Sequence, residues 1–194
     1  VGVATQKDKE SGRGKILTPT PLGIFARDYE IRVEKPENVN KIEFIEYLNG
    51  LAPDIIFVAS FGQILKEPLL ELPKNTCVNL HASLLPSYRG ASPVQAAILN
   101  GDKFAGVSFM QMEKGLDSGP VFKSYKLEIN SKWNSPELEY ELGKLGADHV
   151  EEIIQEITDG RLIPVSQPSE GVSYAKKITK EMGKADWKEP ALLI

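Results

Sequence analysis

Short apolar runs alternate along the chain with segments of helical spacing. Residues 54–59 contain a continuous apolar run of strand length, which is typical of a parallel strand covered on both faces. Before it, residues 40–51 place Ile42, Ile45 and Leu48 at helical spacing. Strands that alternate with helices predict βαβ units, and therefore an α/β fold in which a mostly parallel sheet is flanked by helices.

The same patterns predict the remaining elements. Further strands are predicted at residues 31–33, 77–81, 106–112 and 121–127, and further helices at residues 22–26 and 93–99. The longest predicted helix spans residues 135–160, with Ser135 as its N-cap, Pro136 in its first turn and Gly160 as its stop. Its apolar stripe consists of Leu138, Leu142, Leu145, Ile153, Ile154 and Ile157.

Two segments lack a regular period. Residues 1–5 are interpreted as the end of a strand, and residues 6–15 as a long exposed loop. After Pro164 the composition becomes polar, so residues 1–165 are expected to form the main domain and residues 166–194 a basic exit segment or linker. Because the chain opens at Val1 and its first methionine is Met110, we expect the natural start to lie elsewhere.

Composition narrows the class of protein. The chain has 194 residues, of which 41% are hydrophobic and 26% charged, which excludes disorder and collagen-like repeats. A net charge of -4 argues against a protein that coats nucleic acid, so any RNA contact needs a local basic patch. One cysteine and no Cys/His cluster predict a metal-free site in a reducing compartment. No apolar run reaches the roughly 20 residues of a membrane span. We therefore expect a cytoplasmic protein, with an organellar location left open.

Three polar residues follow or end predicted strands. The two-residue period of residues 77–81 sends Asn79 and His81 to one face, and Asp117 follows the strand at residues 106–112. In open α/β sheets, ligands bind outside the carboxyl ends of the strands. Taken alone, such residues are more often hydrogen-bonded structural groups than catalytic ones.

Two motifs change that interpretation. Residues 79–90 read NLHASLLPSYRG, and residues 106–119 read GVSFMQMEKGLDSG. Both resemble signatures of the folate-dependent formyltransferases, the first as N-x-H, S-L-L-P and R-G, the second as a segment ending in D-x-G. The resemblance covers essentially the whole chain and implies a Rossmann-like formyltransferase fold. The family's first strand and glycine-bearing turn, and its C-terminal β-barrel domain, have no counterpart between Val1 and Ile194.

The resemblance implies a reaction. An amine attacks the formyl carbon of 10-formyltetrahydrofolate, and the tetrahedral oxyanion collapses without a covalent enzyme intermediate. Asn79, His81 and Asp117 would form the catalytic set, with Asn79 as an oxyanion donor. His81 would assist the oxyanion or handle protons, and Asp117 would orient His81 or accept the amine proton through a water.

The folate is expected beside these residues. The segments that match the family's folate-binding positions are Ser83, Leu84, Leu85 and Pro86, and Phe61, Gly62, Gln63 and Leu65. Core packing is the alternative for the apolar members, and a turn or cap role is the alternative for Ser83.

A basic stretch near the start of the chain indicates which molecule receives the formyl group. We call residues 7–15 the basic arm; its cationic residues are Lys7, Lys9, Arg13 and Lys15. The G-R-G-K sequence at residues 12–15 resembles an insertion in those family members that formylate methionyl initiator tRNA, as Asp186 and Trp187 resemble their exit from the catalytic domain. The arm would then grip RNA phosphates, with residues 173–188 as a second patch.

Alternatives to tRNA as the acceptor of the formyl group remain open. In the first alternative the basic arm is a solvated surface, and the chain acts on a sugar nucleotide or glycinamide ribonucleotide, or hydrolyses the folate. Another alternative is a non-catalytic folate- or nucleotide-binding module, against which the intact Asn79, His81 and Asp117 argue. We expect a monomer.

Overall fold

A computed structural model describes residues 1–11, 14–184, 187–188 and 190. Its strands are β1 (Val3–Ala4), β2 (Lys9–Ser11), β3 (Ile16–Thr18), β4 (Val33–Glu34), β5 (Ile55–Ala59), β6 (Thr76–His81), β7 (Arg89–Gly90), β8 (Phe104–Gln111), β9 (Val121–Glu128) and β10 (Tyr174–Ala175). Its α-helices are α1 (Pro21–Asp28), α2 (Ile42–Leu51), α3 (Glu67–Leu70), α4 (Pro93–Leu99) and α5 (Ser135–Thr158), followed by a 3₁₀ turn at Lys180–Gly183. None of the helices in this part of the chain is long and apolar enough to cross a membrane.

The central sheet has four strands in the order β5-β6-β8-β9. Strands β5 and β6 are parallel, whereas β6 with β8 and β8 with β9 are antiparallel. The α/β class with flanking helices is confirmed, but the expectation of a mostly parallel arrangement is wrong for this sheet. The connection from β6 to β8 spans residues 82–103 and contains the seven-residue helix α4. The chain enters β8 near the carboxyl end of β6, where Ser108 pairs with His81, and runs back along that strand.

Three smaller pairings surround the central sheet. Strands β1 and β4 pair in parallel, as do β7 and β10. Strands β2 and β3 form an antiparallel hairpin, so residues 6–15, expected as an irregular loop, are partly regular. Gly14 and Lys15 have φ values of 112° and 51°, and such positive values reverse the chain between two paired strands.

Helix α5 covers one face of the central sheet. Leu138, Leu142 and Ile153 are at most 1% exposed, as the apolar stripe predicts. Its N-cap is Asn134 rather than Ser135: the Asn134 side chain accepts a hydrogen bond from the Glu137 amide, and the Glu137 carboxylate accepts one from the Asn134 amide. This capping box explains the shift by one residue, because it satisfies two backbone donors at once.

The packing of α5 determines which residues of β6 are left for chemistry. Val78 is fully buried in the core with Phe109. Gly146 of α5 lies against Leu80, where an added Cβ would come within 2.5 Å of a Leu80 methyl group. Since Val78 and Leu80 point toward α5, Asn79 and His81 lie on the opposite face of the strand.

Part of the segment after Pro164 returns to the main body of the structure. Val165 bridges to Val121, and β10 pairs with β7 through Tyr174 with Arg89 and Ala175 with Gly90. Residues expected to form a linker therefore contact the motif that follows β6. The boundary at residue 165 itself stays a prediction.

Candidate active site

His81 ends β6 and is held in one tautomer. The residue is 6% exposed, and its Nε2 lies 2.9 Å from the backbone carbonyl oxygen of Tyr88. Because a carbonyl only accepts, Nε2 carries the hydrogen, and the neutral ring has its lone pair on Nδ1. That Nδ1 faces Oδ2 of Asp117 at 3.8 Å.

Asp117 lies in the loop between β8 and β9. Its Oδ2 accepts a hydrogen bond of 2.8 Å from the Gly90 amide, and the residue has a positive φ of 49°. The 3.8 Å gap to His81 is too long for a direct hydrogen bond. The Asp117 carboxylate therefore faces the lone pair of Nδ1 without bonding to it.

Asn79 lies two residues before His81 on the same face of β6. It is half-buried, and its side chain forms no hydrogen bond with the residues that the structure describes. An amide in this state has its N–H groups available for an incoming oxygen. The structure thus places Asn79 and His81 on one face and brings Asp117 against His81; their catalytic roles stay predictions.

The loop after β6 is fixed by serine hydroxyls. Ser83 is 3% exposed, and its hydroxyl donates to the Ser87 carbonyl at 2.6 Å. Ser108 on β8 donates to the Ser83 carbonyl at 2.7 Å and accepts from the Leu85 amide at 3.1 Å. The Ser83 hydroxyl is thus used within the turn. Sequence reasoning missed Ser108, although a serine in an otherwise apolar buried strand was a usable signal.

The other predicted folate residues have mixed surroundings. The Leu84 side chain packs on Gly106, where a Cβ would clash, and a cis peptide bond joins Leu85 to Pro86. Gln63 accepts from the Val39 amide at 3.0 Å and donates to the Pro36 carbonyl at 3.3 Å. Its amide therefore ties the loop after β5 to the segment before α2.

Phe61, Gly62 and Leu65 belong to the same loop. The Phe61 carbonyl accepts from the Gln6 side chain at 2.6 Å, which joins this loop to the base of the basic arm. Gly62 has a φ of 77°. Leu65 is half-buried.

Two cavities open near the carboxyl ends of β5 and β6. The larger, about 540 Å³, is lined by Gly62, Ala91, Ser92, Gln95, Lys177 and Ile178. The smaller, about 260 Å³, includes Ser60, Leu80, Ala82, Gln95, Glu139 and Leu142 in its lining. Among the residues that the structure describes, neither lining contains Asn79, His81 or Asp117. Both cavities lie beside the motif loop, at the sheet edge where ligands bind in α/β folds.

The basic arm presents its lysines to solvent. The side chains of Lys7 and Lys15 are 59% and 83% exposed, and they approach Glu37 and Glu10 at 3.9 Å and 4.0 Å. Lys9 donates to the Gln6 side chain. Arg13, the fourth predicted contact, lies outside the described residues.

Comparison with known proteins defines the class. Residues 1–154 match the family described as formyl transferase, so the chain belongs to the formyl transferase family. It is 43% identical to the methionyl-tRNA formyltransferase of Caldanaerobacter subterraneus subsp. tengcongensis, in an alignment that covers 100% of this chain and 63% of that protein. The chain thus spans less than two thirds of the length of this curated relative. The family resemblance expected from the motifs is confirmed.

Solved structures show the same fold. The methionyl-tRNA formyltransferase from Clostridium thermocellum superposes with a TM-score of 0.65 at 20% identity, covering 98% of this chain and 77% of that chain. The formyltransferase PseJ from Anoxybacillus kamchatkensis, in complex with UDP-4,6-dideoxy-4-formamido-L-AltNAc and tetrahydrofolate, gives 0.66 at 22% identity, covering 91% of this chain and 86% of that chain. At these identities the likeness concerns the fold alone, and it confirms the Rossmann-like formyltransferase architecture.

Proposed function

We propose that the protein containing this chain transfers a formyl group from 10-formyltetrahydrofolate to the α-amino group of methionyl initiator tRNA. The observation that carries the proposal is the arrangement at the end of β6. There His81 has a fixed tautomer, faces a carboxylate, and lies on the same face as an amide without a partner among the described residues. The 43% identity to a methionyl-tRNA formyltransferase supports the choice of acceptor.

Each member of the site has a step suited to its chemistry. Asn79 donates an N–H to the oxygen of the formyl group as negative charge develops there, an interaction that is worth about 10²–10³ in rate. His81 and Asp117 take up the proton that the attacking amine loses and return it to N10 as the bond between N10 and the formyl carbon breaks. Since both are already oriented by backbone groups, little rearrangement is needed when substrate arrives.

The chain's residues fit a folate. The larger cavity combines apolar side chains with Ser92, Gln95 and Lys177, a composition suited to an aromatic ring system with a charged tail. Ser83, Leu84, Leu85 and Pro86 form the adjoining loop, and Phe61 to Leu65 the facing one. PseJ, which shares the fold, was solved with tetrahydrofolate.

The RNA contact is assigned to the basic arm. Lys7, Lys9, Arg13 and Lys15 would contact phosphates, because exposed cations release counterions when they bind nucleic acid. The hydrogen bond from Gln6 to the Phe61 carbonyl places the base of the arm beside the proposed folate loop, so RNA held by the arm would present its end near the site.

The proposal also covers the domain boundaries, the oligomeric state and the location of the enzyme. Residues 1–165 are proposed as the catalytic domain and residues 166–194 as a basic exit segment. We propose that the protein acts as a monomer in the cytoplasm, in keeping with its bacterial relatives.

The test uses the full-length protein. Purified protein is mixed with 10-formyltetrahydrofolate and, in separate reactions, methionyl initiator tRNA, methionyl elongator tRNA, an amino sugar nucleotide, glycinamide ribonucleotide or water. We expect formyl-methionine on initiator tRNA. Faster formylation of a small molecule, or hydrolysis without transfer, would overturn the assignment to tRNA and keep the family chemistry.

A further inference from the structure

Asp117 is held by more than one part of the chain. Its φ of 49° lies in the left-handed region, which aspartate tolerates better than most residues other than glycine. The Gly90 amide holds its carboxylate, and that contact does not restrain its backbone. A group that bonds to the main chain around Asp117 would add this restraint.

Gln167 makes those contacts from 50 residues further along the chain. Its amide nitrogen donates to the carbonyls of Asp117 and Gly119, at 2.8 Å and 2.7 Å. Its amide oxygen accepts from Nε and Nη2 of Arg89, at 3.1 Å and 2.7 Å. Carbonyls only accept and the guanidinium only donates, so the reversed amide would lose all four bonds. The orientation of Gln167 is fixed by chemistry.

Arg89 is itself fixed in place. Its backbone amide donates to the Ser173 carbonyl at 2.9 Å, and it pairs with Tyr174 where β7 meets β10. Arg89 and Gly90, the R-G of the motif, thus reach Asp117 by two routes. Gly90 holds the carboxylate directly, and Arg89 holds the main chain through Gln167.

We propose that Gln167, oriented by Arg89, is a positioning residue that keeps the Asp117 carboxylate directed at Nδ1 of His81. This inference rests on the proposed formyl transfer for its kinetic test, but not for its spectroscopic one. It gives the arginine of the motif a role, and it extends the site to the segment after Pro164.

A double-mutant cycle in the full-length protein provides the kinetic test. Gln167→Ala should lower kcat about tenfold and leave the KM values for folate and tRNA within about twofold. In the Asp117→Asn background the same substitution should lower kcat less than twofold, since it acts through Asp117. Additive losses, or a loss confined to KM, would overturn the proposal.

Two further variants separate the contacts. Gln167→Glu keeps an acceptor for Arg89 but loses the donors to both carbonyls, so it should lose as much rate as Gln167→Ala. Gln155→Ala is the matched control, because Gln155 also donates through its side-chain amide, in this case to the Asp159 carboxylate, but lies exposed on α5. Gln155→Ala should keep the kcat and KM values of the parent.

NMR tests the same idea without turnover. The ring ¹⁵N and ¹H signals of His81, identified by their absence in His81→Asn, are compared between variants at one fixed pH. Gln167→Ala should displace these signals in the same direction as Asp117→Asn, because both change the carboxylate that faces the ring, while the melting temperature confirms a folded protein. Signals identical to the parent's would overturn the proposal. A parent that shows no formylation but a Gln167-dependent displacement of these signals would contradict the proposed function alone.

Discussion

The site at the end of β6 and the basic arm differ in how much of their geometry the protein itself fixes. His81 is 6% exposed, bonded to a backbone carbonyl and aligned with Asp117. Lys7 and Lys15 extend into solvent, and their ion pairs with glutamates at 3.9 Å and 4.0 Å belong to a type that contributes little to stability.

The difference matches the two tasks that we propose for this protein. Formyl transfer needs donors in place before charge develops, and buried hydrogen bonds provide that. A large polyanion needs accessible charge, and lysines held only in weak, exposed ion pairs can exchange their glutamates for phosphates. Substitutions in the site should therefore change rate constants, and substitutions in the arm should change affinity and its salt dependence.

The largest effects should come from the polar face of β6. Asn79→Ala and His81→Ala should each lower the formylation rate by about 10²-fold or more, because in the proposed mechanism each removes a group that acts in the transition state. Folate binding, measured by fluorescence titration, should stay within about threefold. Near-normal turnover in both variants would show that the site lies elsewhere.

Gly90→Ala tests whether the backbone geometry at Gly90, whose amide holds Asp117, affects the rate and the stability. Its φ is 109°, and a Cβ would lie 2.8 Å from the Ala175 carbonyl oxygen. The substitution should displace the amide that holds Asp117, lower the rate about tenfold, and lower the free energy of unfolding by about 1–3 kcal/mol.

The matched control is a glycine in open space. Gly50 lies in α2, where nothing within 4 Å would meet a Cβ. Gly50→Ala should raise the free energy of unfolding by about 0.5–1 kcal/mol and keep the rate. If Gly90→Ala behaves in the same way in urea unfolding and kinetics, the loop is less constrained than the contacts indicate.

Substitutions in the arm should have smaller effects of a different kind. Arg13→Ala and Lys15→Ala should each reduce the salt dependence of tRNA binding by about one counterion and weaken binding several-fold, without a change in folate affinity. Filter binding across salt concentrations measures both quantities. Lys74→Ala, an exposed lysine paired with Asp54 before β6, is the control. Equal slopes for all three variants would reduce the arm to a solvated surface.

The smallest effect is expected at Cys77, which shares the face of β6 with Asn79 and His81. Burial raises the pKa of its thiol to about 12, so the nucleophilic thiolate is scarce at neutral pH. Cys77→Ala should keep the formylation rate within about twofold. A loss as large as that of His81→Ala would contradict transfer without a covalent enzyme intermediate.

The same raised pKa predicts a pH effect on stability. Below pH 9 the thiol of Cys77 is protonated in both the folded and the unfolded chain. Between pH 9 and about 12 the thiol of Cys77 ionises in the unfolded chain but not in the folded one. The free energy of unfolding therefore falls as the pH rises through that window. Urea unfolding at pH 8 and pH 10.5 should show a smaller pH-dependent loss for Cys77→Ala than for the parent.

Local patterns predicted much of this molecule. Helix α4 runs from Pro93 to Leu99 as expected, and the stripe that includes Leu138 and Ile153 is buried. The period of β6 placed Asn79 and His81 on one face. These features depend on residues within a few positions of one another, so the sequence displays them directly.

The remaining features depend on distant or backbone groups. The antiparallel direction of β8 depends on its pairing with β6, a strand that is distant in sequence. The tautomer of His81 depends on the carbonyl of Tyr88, a group that every residue carries. The contact between Gln167 and Asp117 joins positions 50 residues apart. The sequence around neither residue predicts it.

The pairing of β7 with β10 also decides where a functional fragment can end. A fragment cut at residue 165, the boundary that composition suggests, would lack Gln167, Ser173 and Ala175. It would retain His81, Asp117 and most of the buried residues, but Asp117 and Arg89 would lose their hydrogen bonds to Gln167. Fragments intended for folate binding or crystallography should therefore extend past Ala175, because β10 pairs with the motif residues Arg89 and Gly90.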